Sequence, residues 1–229
     1  MSDYQDLCEM HGTTPNDPDF IDNLIGEISK SYTYSLNQDD YEWYEENENK
    51  RHHKILLEQL NSVDLILELE VPERAKFSFM VMIHAHVVSA IEGYLAGVFI
   101  HQVCNSEELT RKLVESDPEF SKRKFTLREI YQEKDALKVT VASYLKGLIF
   151  HDIKKIKLMY ESVLGHEFSS LSWLFKAVET RHHCVHRAGY DKEGNEVGIS
   201  VESIIDLLGY VTDLANEIYS TTEAVDVGL

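Results

Sequence analysis

Lys76 to Cys104 constrains the fold more than any other stretch of this chain. It is long, nearly uncharged and apolar on most sides. Val81, Ala85, Val88, Leu95 and Val98 recur at helical spacing and can share one buried face. Glu92 and the pair His84/His86 interrupt the pattern. A helix this apolar must be packed on several sides, so the remaining sequence has to supply helices that surround it.

The flanking segments read that way. Ile55, Leu56, Leu60 and Val63 predict a helix within 39–71, which opens acidic and carries Tyr41, Trp43 and Tyr44. Leu65 to Val71 fits helix or strand, and Pro72 marks a break. Residues 106–116 and 127–146 predict two helices, with a loop at Asp117-Pro118 between them, and 151–163 predicts a basic amphipathic helix. Leu171 to His183 is helical, with Leu171, Leu174, Phe175 and Val178 at i, i+3, i+4 and i+7. Between Gly189 and Gly198, the run Asp191 to Asn195 signals a turn, hence a small hairpin or a long loop. Val201 to Tyr219 is the last helix, expected to bury Ile204, Ile205, Leu208, Val211, Leu214, Ala215 and Ile218. Residues 1–38 read as irregular apart from a short helix near Phe20 to Ser31. The expected fold is all-α: an antiparallel helical bundle over 76–229, preceded by an acidic, partly helical extension over 1–75.

Charge narrows the function. A net charge of −18 argues against a general nucleic-acid binder. The balance is uneven, with 18 acidic and 5 basic residues in 1–75 but 11 acidic and 13 basic in 76–165. The basic runs Lys122-Arg123-Lys124 and Lys154-Lys155 are either a solvated face or a local RNA-contacting patch. Three widely spaced cysteines, Cys8, Cys104 and Cys184, predict free thiols and a reducing, cytoplasmic setting. The acidic first residues predict no secretory leader, and no transmembrane helix or membrane partner is expected.

The chemistry concentrates in Arg181-His182-His183-Cys184-Val185-His186-Arg187. Imidazole both takes and gives a proton near neutral pH, and guanidinium binds phosphate as a planar fork. On a continuous helix Arg181 and His186 stand about 140° apart. They converge only if the helix stops between them, and Gly189 predicts an end near Val185. If the helix persists, His182 and His186 are neighbours at i and i+4. No fourth ligand is spaced for a zinc motif, so neither metal nor cofactor is expected. A structural role at a helix C-terminus, where cationic character is favoured, is the plain alternative.

These residues resemble a HEPN domain (the higher eukaryotes and prokaryotes nucleotide-binding superfamily), close to its RiboL-PSP-HEPN branch. The family motif is an Arg, four to six residues, then a His, matched by Arg181 and His186. Arg187-Ala188-Gly189-Tyr190-Asp191 and Gly194 follow the branch's continuation. Ala90-Ile91-Glu92-Gly93-Tyr94-Leu95 is similar to its first-helix signature, and Lys157-Leu158-Met159-Tyr160 with Leu164-Gly165 is a weaker match. The resemblance covers about residues 76–220. One departure is His183, where the branch commonly has an acid.

The resemblance implies a metal-independent endoribonuclease of toxin–antitoxin or phage-defence type, working as a homodimer with a composite site. His186 is then the acid or base at the ribose 2′-OH or the leaving 5′-oxygen. Arg181 stabilises charge on the phosphorane, and the product carries a 2′,3′-cyclic phosphate. Glu92 either orients these groups or pairs with Arg181 or Arg187. His182, His183 and Arg187 are supporting phosphate contacts, and Lys122, Arg123, Lys124, Lys154 and Lys155 are candidate RNA contacts. An antitoxin or another protein partner is also implied. The competing reading is a non-catalytic dimer that binds a nucleotide, RNA or protein.

Overall fold

The computed structural model describes residues 49–122, 137–148 and 152–226. The chain divides into the units Met1–Trp43 and Tyr44–Leu229. The helix expected near Phe20, together with Arg123 and Lys124, lies outside the described residues.

Every regular element among the described residues is helical: α1 (Asn49–Leu67), α2 (Glu73–Asn105), α3 (Glu107–Ser116), α4 (Pro118–Ser121), α5 (Leu137–Gly147), α6 (Ile153–Met159), α7 (Ser172–Arg187) and α8 (Val201–Asp226). A π-helical turn, Tyr160–Leu164, continues α6 and ends at Gly165, whose φ is 68°. The ambiguous run Leu65 to Val71 splits, with helix to Leu67 and irregular chain up to Pro72. Part of the expected N-terminal extension is therefore a helix of the bundle, since α1 lies within the unit Tyr44–Leu229 and packs on α2 and α8.

Local chemistry sets the helix starts. Ser106 accepts from the Leu109 amide to cap α3, and Asp117 accepts from the Glu119 amide to cap α4, with Pro118 at its first position. Asp152 caps α6 in the same way. At α8, Ser200 and Ser203 accept from each other's amides, which fixes the entry angle of the chain.

α2 is the axis of the bundle. α1, α3, α5, α7 and α8 all pack against it. Val87, Val88, Ile91, Val98, Phe99 and Val103 are fully buried. Each such side chain contributes about 1.5–3 kcal/mol on burial. α2 is the one described helix long and apolar enough to cross a membrane by composition, and 67% of its most apolar window is buried inside the protein. Its apolarity is explained by the helices around it. Two tyrosine hydroxyls tie this core together: Tyr160 donates to Leu95 O at 2.7 Å and Tyr94 to Ala215 O at 3.1 Å. Gly97 lets α1 approach, because a Cβ there would sit 2.6 Å from His52 Nδ1.

The expected burial of Ile205 fails, and Phe175 on the apolar spacing of α7 is also open to solvent. Ile205 is 53% exposed and Phe175 is 40% exposed. Both α7 and α8 are packed on one side only, so the outer edge of each apolar stripe faces solvent.

Candidate functional site

α7 does not stop at Val185. It runs through Arg187 and ends on two left-handed residues, Ala188 (φ 52°) and Gly189 (φ 90°). Gly189 is needed twice over, for its φ and because a Cβ there would lie 2.7 Å from Phe77 Cζ. The chain then turns through Asp191, which accepts from the amides of Glu193 and Asn195, and returns so that Val197 N donates to Gly189 O. The expected small hairpin is thus a single antiparallel bridge, Tyr190 with Glu196.

The unbroken helix turns the two motif residues about 140° apart around its axis, although both border one groove. Arg181 turns toward α2, where its Nη2 lies 3.7 Å from Glu92 Oε2, and both side chains are largely buried. The Arg181 Nε has no hydrogen-bond partner. Of the two pairings open to Glu92, the one present is with Arg181. His186 points outward and is exposed, as is His182. Their rings are 4.6 Å apart, which is the i, i+4 neighbourhood of a continuous helix. Arg181, His182, His183, His186 and Lys192 line one open groove of about 500 Å³.

His183 faces neither Glu92 nor His186. Its Nδ1 is 3.0 Å from Arg187 Nη1. Guanidinium can only donate, so Nδ1 accepts, and the proton of the neutral ring sits on Nε2. A histidine at this position cannot orient its neighbour as an acid would. It braces Arg187 and keeps one N–H to donate. His182 is held below the usual histidine range by partial desolvation first, then by His186, Arg187, His183 and Lys192. At neutral pH it is an uncharged ring beside cations.

Among the described residues, none of the basic residues of the middle third lines this groove. Lys122, Lys154 and Lys155 line a different cleft of about 680 Å³ with Asp117, Glu119 and Asp152. Lys122 pairs with Glu119 at 3.3 Å. Lys155 donates to Tyr144 Oη at 3.1 Å, and that hydroxyl donates to Asp117 Oδ2 at 2.5 Å. α3 is anchored at Val103, where Thr110 donates to the carbonyl. Eleven residues of α2, about 17 Å of helix rise, separate that point from Glu92. Lys122 and Lys155 are engaged locally, and this cleft shares no lining residue with the groove of the histidines.

Sequence reading missed a third cavity. His84, Trp173, Lys176, Asp206 and Tyr210 help line a pocket of about 540 Å³ between α2, α7 and α8. Only the interruption of the apolar α2 pattern by His84 hinted at it. Among the described residues no group of three or more His, Cys, Asp or Glu side chains is arranged to hold a metal ion. Cys104 and Cys184 are both buried. The chain matches no protein-family model, no curated protein and no solved structure.

Proposed function

We propose that this chain is a metal-independent endoribonuclease of HEPN type that acts as a homodimer. The observation that carries the reading is the layout of α7. Phe175, Val178, His182 and Val185 follow a heptad-like a/d spacing on its outer side, with Phe175 40% and Val185 52% exposed. Such a stripe is the seam of a two-helix contact. Arg181 and His186 flank it on opposite sides. A parallel pairing of two copies sets the Arg181 side of each against the His186 side of the other, so each composite site takes its Arg181 from one copy and its His186 from the other. His186 then moves the proton of the ribose 2′-OH or of the leaving oxygen, and Arg181 neutralises the phosphorane.

The test uses RNA in EDTA. The wild type is expected to leave 2′,3′-cyclic phosphate ends, and His186→Ala to cut at least about 100-fold more slowly. His186 is exposed, so its loss leaves the fold intact. Mixing inactive Arg181→Gln with inactive His186→Ala should restore cutting, because a mixed dimer contains one complete site. Full activity of His186→Ala would remove the assignment. The second reading, a dimer that binds RNA or protein without cutting, is favoured by one observation: Arg181 is engaged with Glu92. A toxin–antitoxin or phage-defence setting, with a cytoplasmic protein partner, belongs to the nuclease reading as a proposal.

A further inference from the structure

The pocket of about 540 Å³ beside α7 is unused by the nuclease reading, and its walls specify a ligand. Trp173 and Tyr210 stack with ring centroids 5.5 Å apart and planes 21° apart, an offset aromatic pair at the pocket edge. His84, nine-tenths buried, lies in the lining. Its Nε2 is 3.0 Å from Ala177 O, a carbonyl that only accepts, so Nε2 carries the proton and Nδ1 is an acceptor. Asp206 is a second acceptor in the same lining. A partly exposed aromatic pair beside two acceptors suits a planar ring that stacks on it and offers donors on its edge.

Lys176 lines both this pocket and the groove of the histidines. On α7, Lys176, Thr180, His183 and Arg187 stand at i, i+4, i+7 and i+11, which is one line along the helix flank. All four are cations or hydrogen-bond donors, and His183 and Arg187 are already bonded to each other. The line runs from the aromatic pocket to the end of the motif helix.

We propose that the pocket takes an unpaired, donor-bearing nucleobase, guanine by preference, from a single RNA strand whose phosphates follow Lys176, His183 and Arg187. This rests on the nuclease reading and adds to it the substrate class, an unpaired strand, and a base preference. Guanine offers an imino and an amino donor on one edge, whereas uracil offers a single donor there. Stacking supplies the affinity and the acceptors select the base.

Binding of 2′-O-methyl oligonucleotides, which cannot be cut, tests this apart from catalysis. Fluorescence anisotropy is measured on a labelled uridine octamer and on the same octamer with one central guanosine. The guanosine strand is expected to bind more tightly to the wild type. Trp173→Ala should weaken it by about 5-fold to 150-fold, the range for one lost base stack. Asp206→Asn should narrow the gap between the two strands. Tyr210→Ala, at a side chain 51% exposed, gives the same reading if Trp173→Ala fails to fold. Unchanged binding in Trp173→Ala and Tyr210→Ala overturns the pocket, and if the wild type still cuts RNA the nuclease reading stands. Pocket-dependent binding without any cutting supports the pocket and removes the nuclease. Inhibition by 5′-GMP at the concentration of the oligonucleotide itself means a free nucleotide is the ligand, and overturns the strand.

Discussion

Glu92 and Arg181 are each part of a resembled motif and also partners in a buried contact, and the two roles separate by energy. Their charges lie 3.7 Å apart with side chains 12% and 22% exposed. At an effective dielectric of about 20, the Coulomb attraction is about 4.5 kcal/mol before desolvation. Desolvation offsets part of this, leaving a coupling of about 1–3 kcal/mol. Losing either partner removes this attraction, and losing Glu92 leaves the largely buried Arg181 guanidinium uncompensated, at a cost of about 3–5 kcal/mol for a fully buried pair and less here. Glu92→Gln and Arg181→Gln should therefore each destabilise the protein by about 2–4 kcal/mol. The double variant should lose less than their sum. Urea denaturation of all four proteins, with slopes compared to check two-state behaviour, measures the cycle. Additivity within about 0.5 kcal/mol would refute the argument, because independent sites add to that tolerance. A loss of cleavage in Arg181→Gln is interpretable only against this stability measurement, whereas His186→Ala needs no such correction.

Two further outcomes follow from the structure. Gly189→Ala combines left-handed strain of about 1–2 kcal/mol with a clash against Phe77; calorimetry should show a melting temperature lower by at least about 4 °C, and an unchanged one would mean that the α7 terminus relaxes freely. Burial holds His84 below its ordinary pKa, against a smaller opposite effect of the Ala177 carbonyl. The unfolded chain takes up a proton near pH 6.5 that the folded protein refuses. Stability should thus fall as pH drops below 6.5, by up to about 1.4 kcal/mol per pH unit for this group, and flatten once His84 protonates in the fold. His84→Gln should remove that share of the slope in urea midpoints taken between pH 7.5 and 5; identical slopes would contradict it.

The apolar periods made the helices legible. α2, α3, α7 and α8 lie where residue spacing put them, because a core-facing stripe has to repeat every three or four residues in any packing. Spacing did not reveal how wide each stripe is. Ile205 and Phe175 continue their stripes but face solvent, since exposure depends on which neighbour arrives. The end of α7 was misplaced for a related reason. Gly189 signals a stop, but Ala188 also adopts a left-handed φ, and the helix extends to meet it. The Arg181 and His186 geometry depends on those two extra residues, so the site was legible as a composition and not as an arrangement. The pocket of Trp173, Tyr210, His84 and Asp206 draws on three helices far apart in sequence, which no local pattern can show.

Leaning five helices on α2 has a consequence for how the molecule fluctuates. The amides in the buried stretch of α2, from Val87 to Val103, are expected to be the last to exchange, because most of the residues there are covered by neighbouring helices. The last turn of α7, with His182, Val185 and His186 facing out, touches the axis on one side only. Its other side is held, by buried Cys184 and by Gly189 packed against Phe77. The motif helix thus joins a fixed inner face to an outward face on which a change of side chain costs the rod nothing.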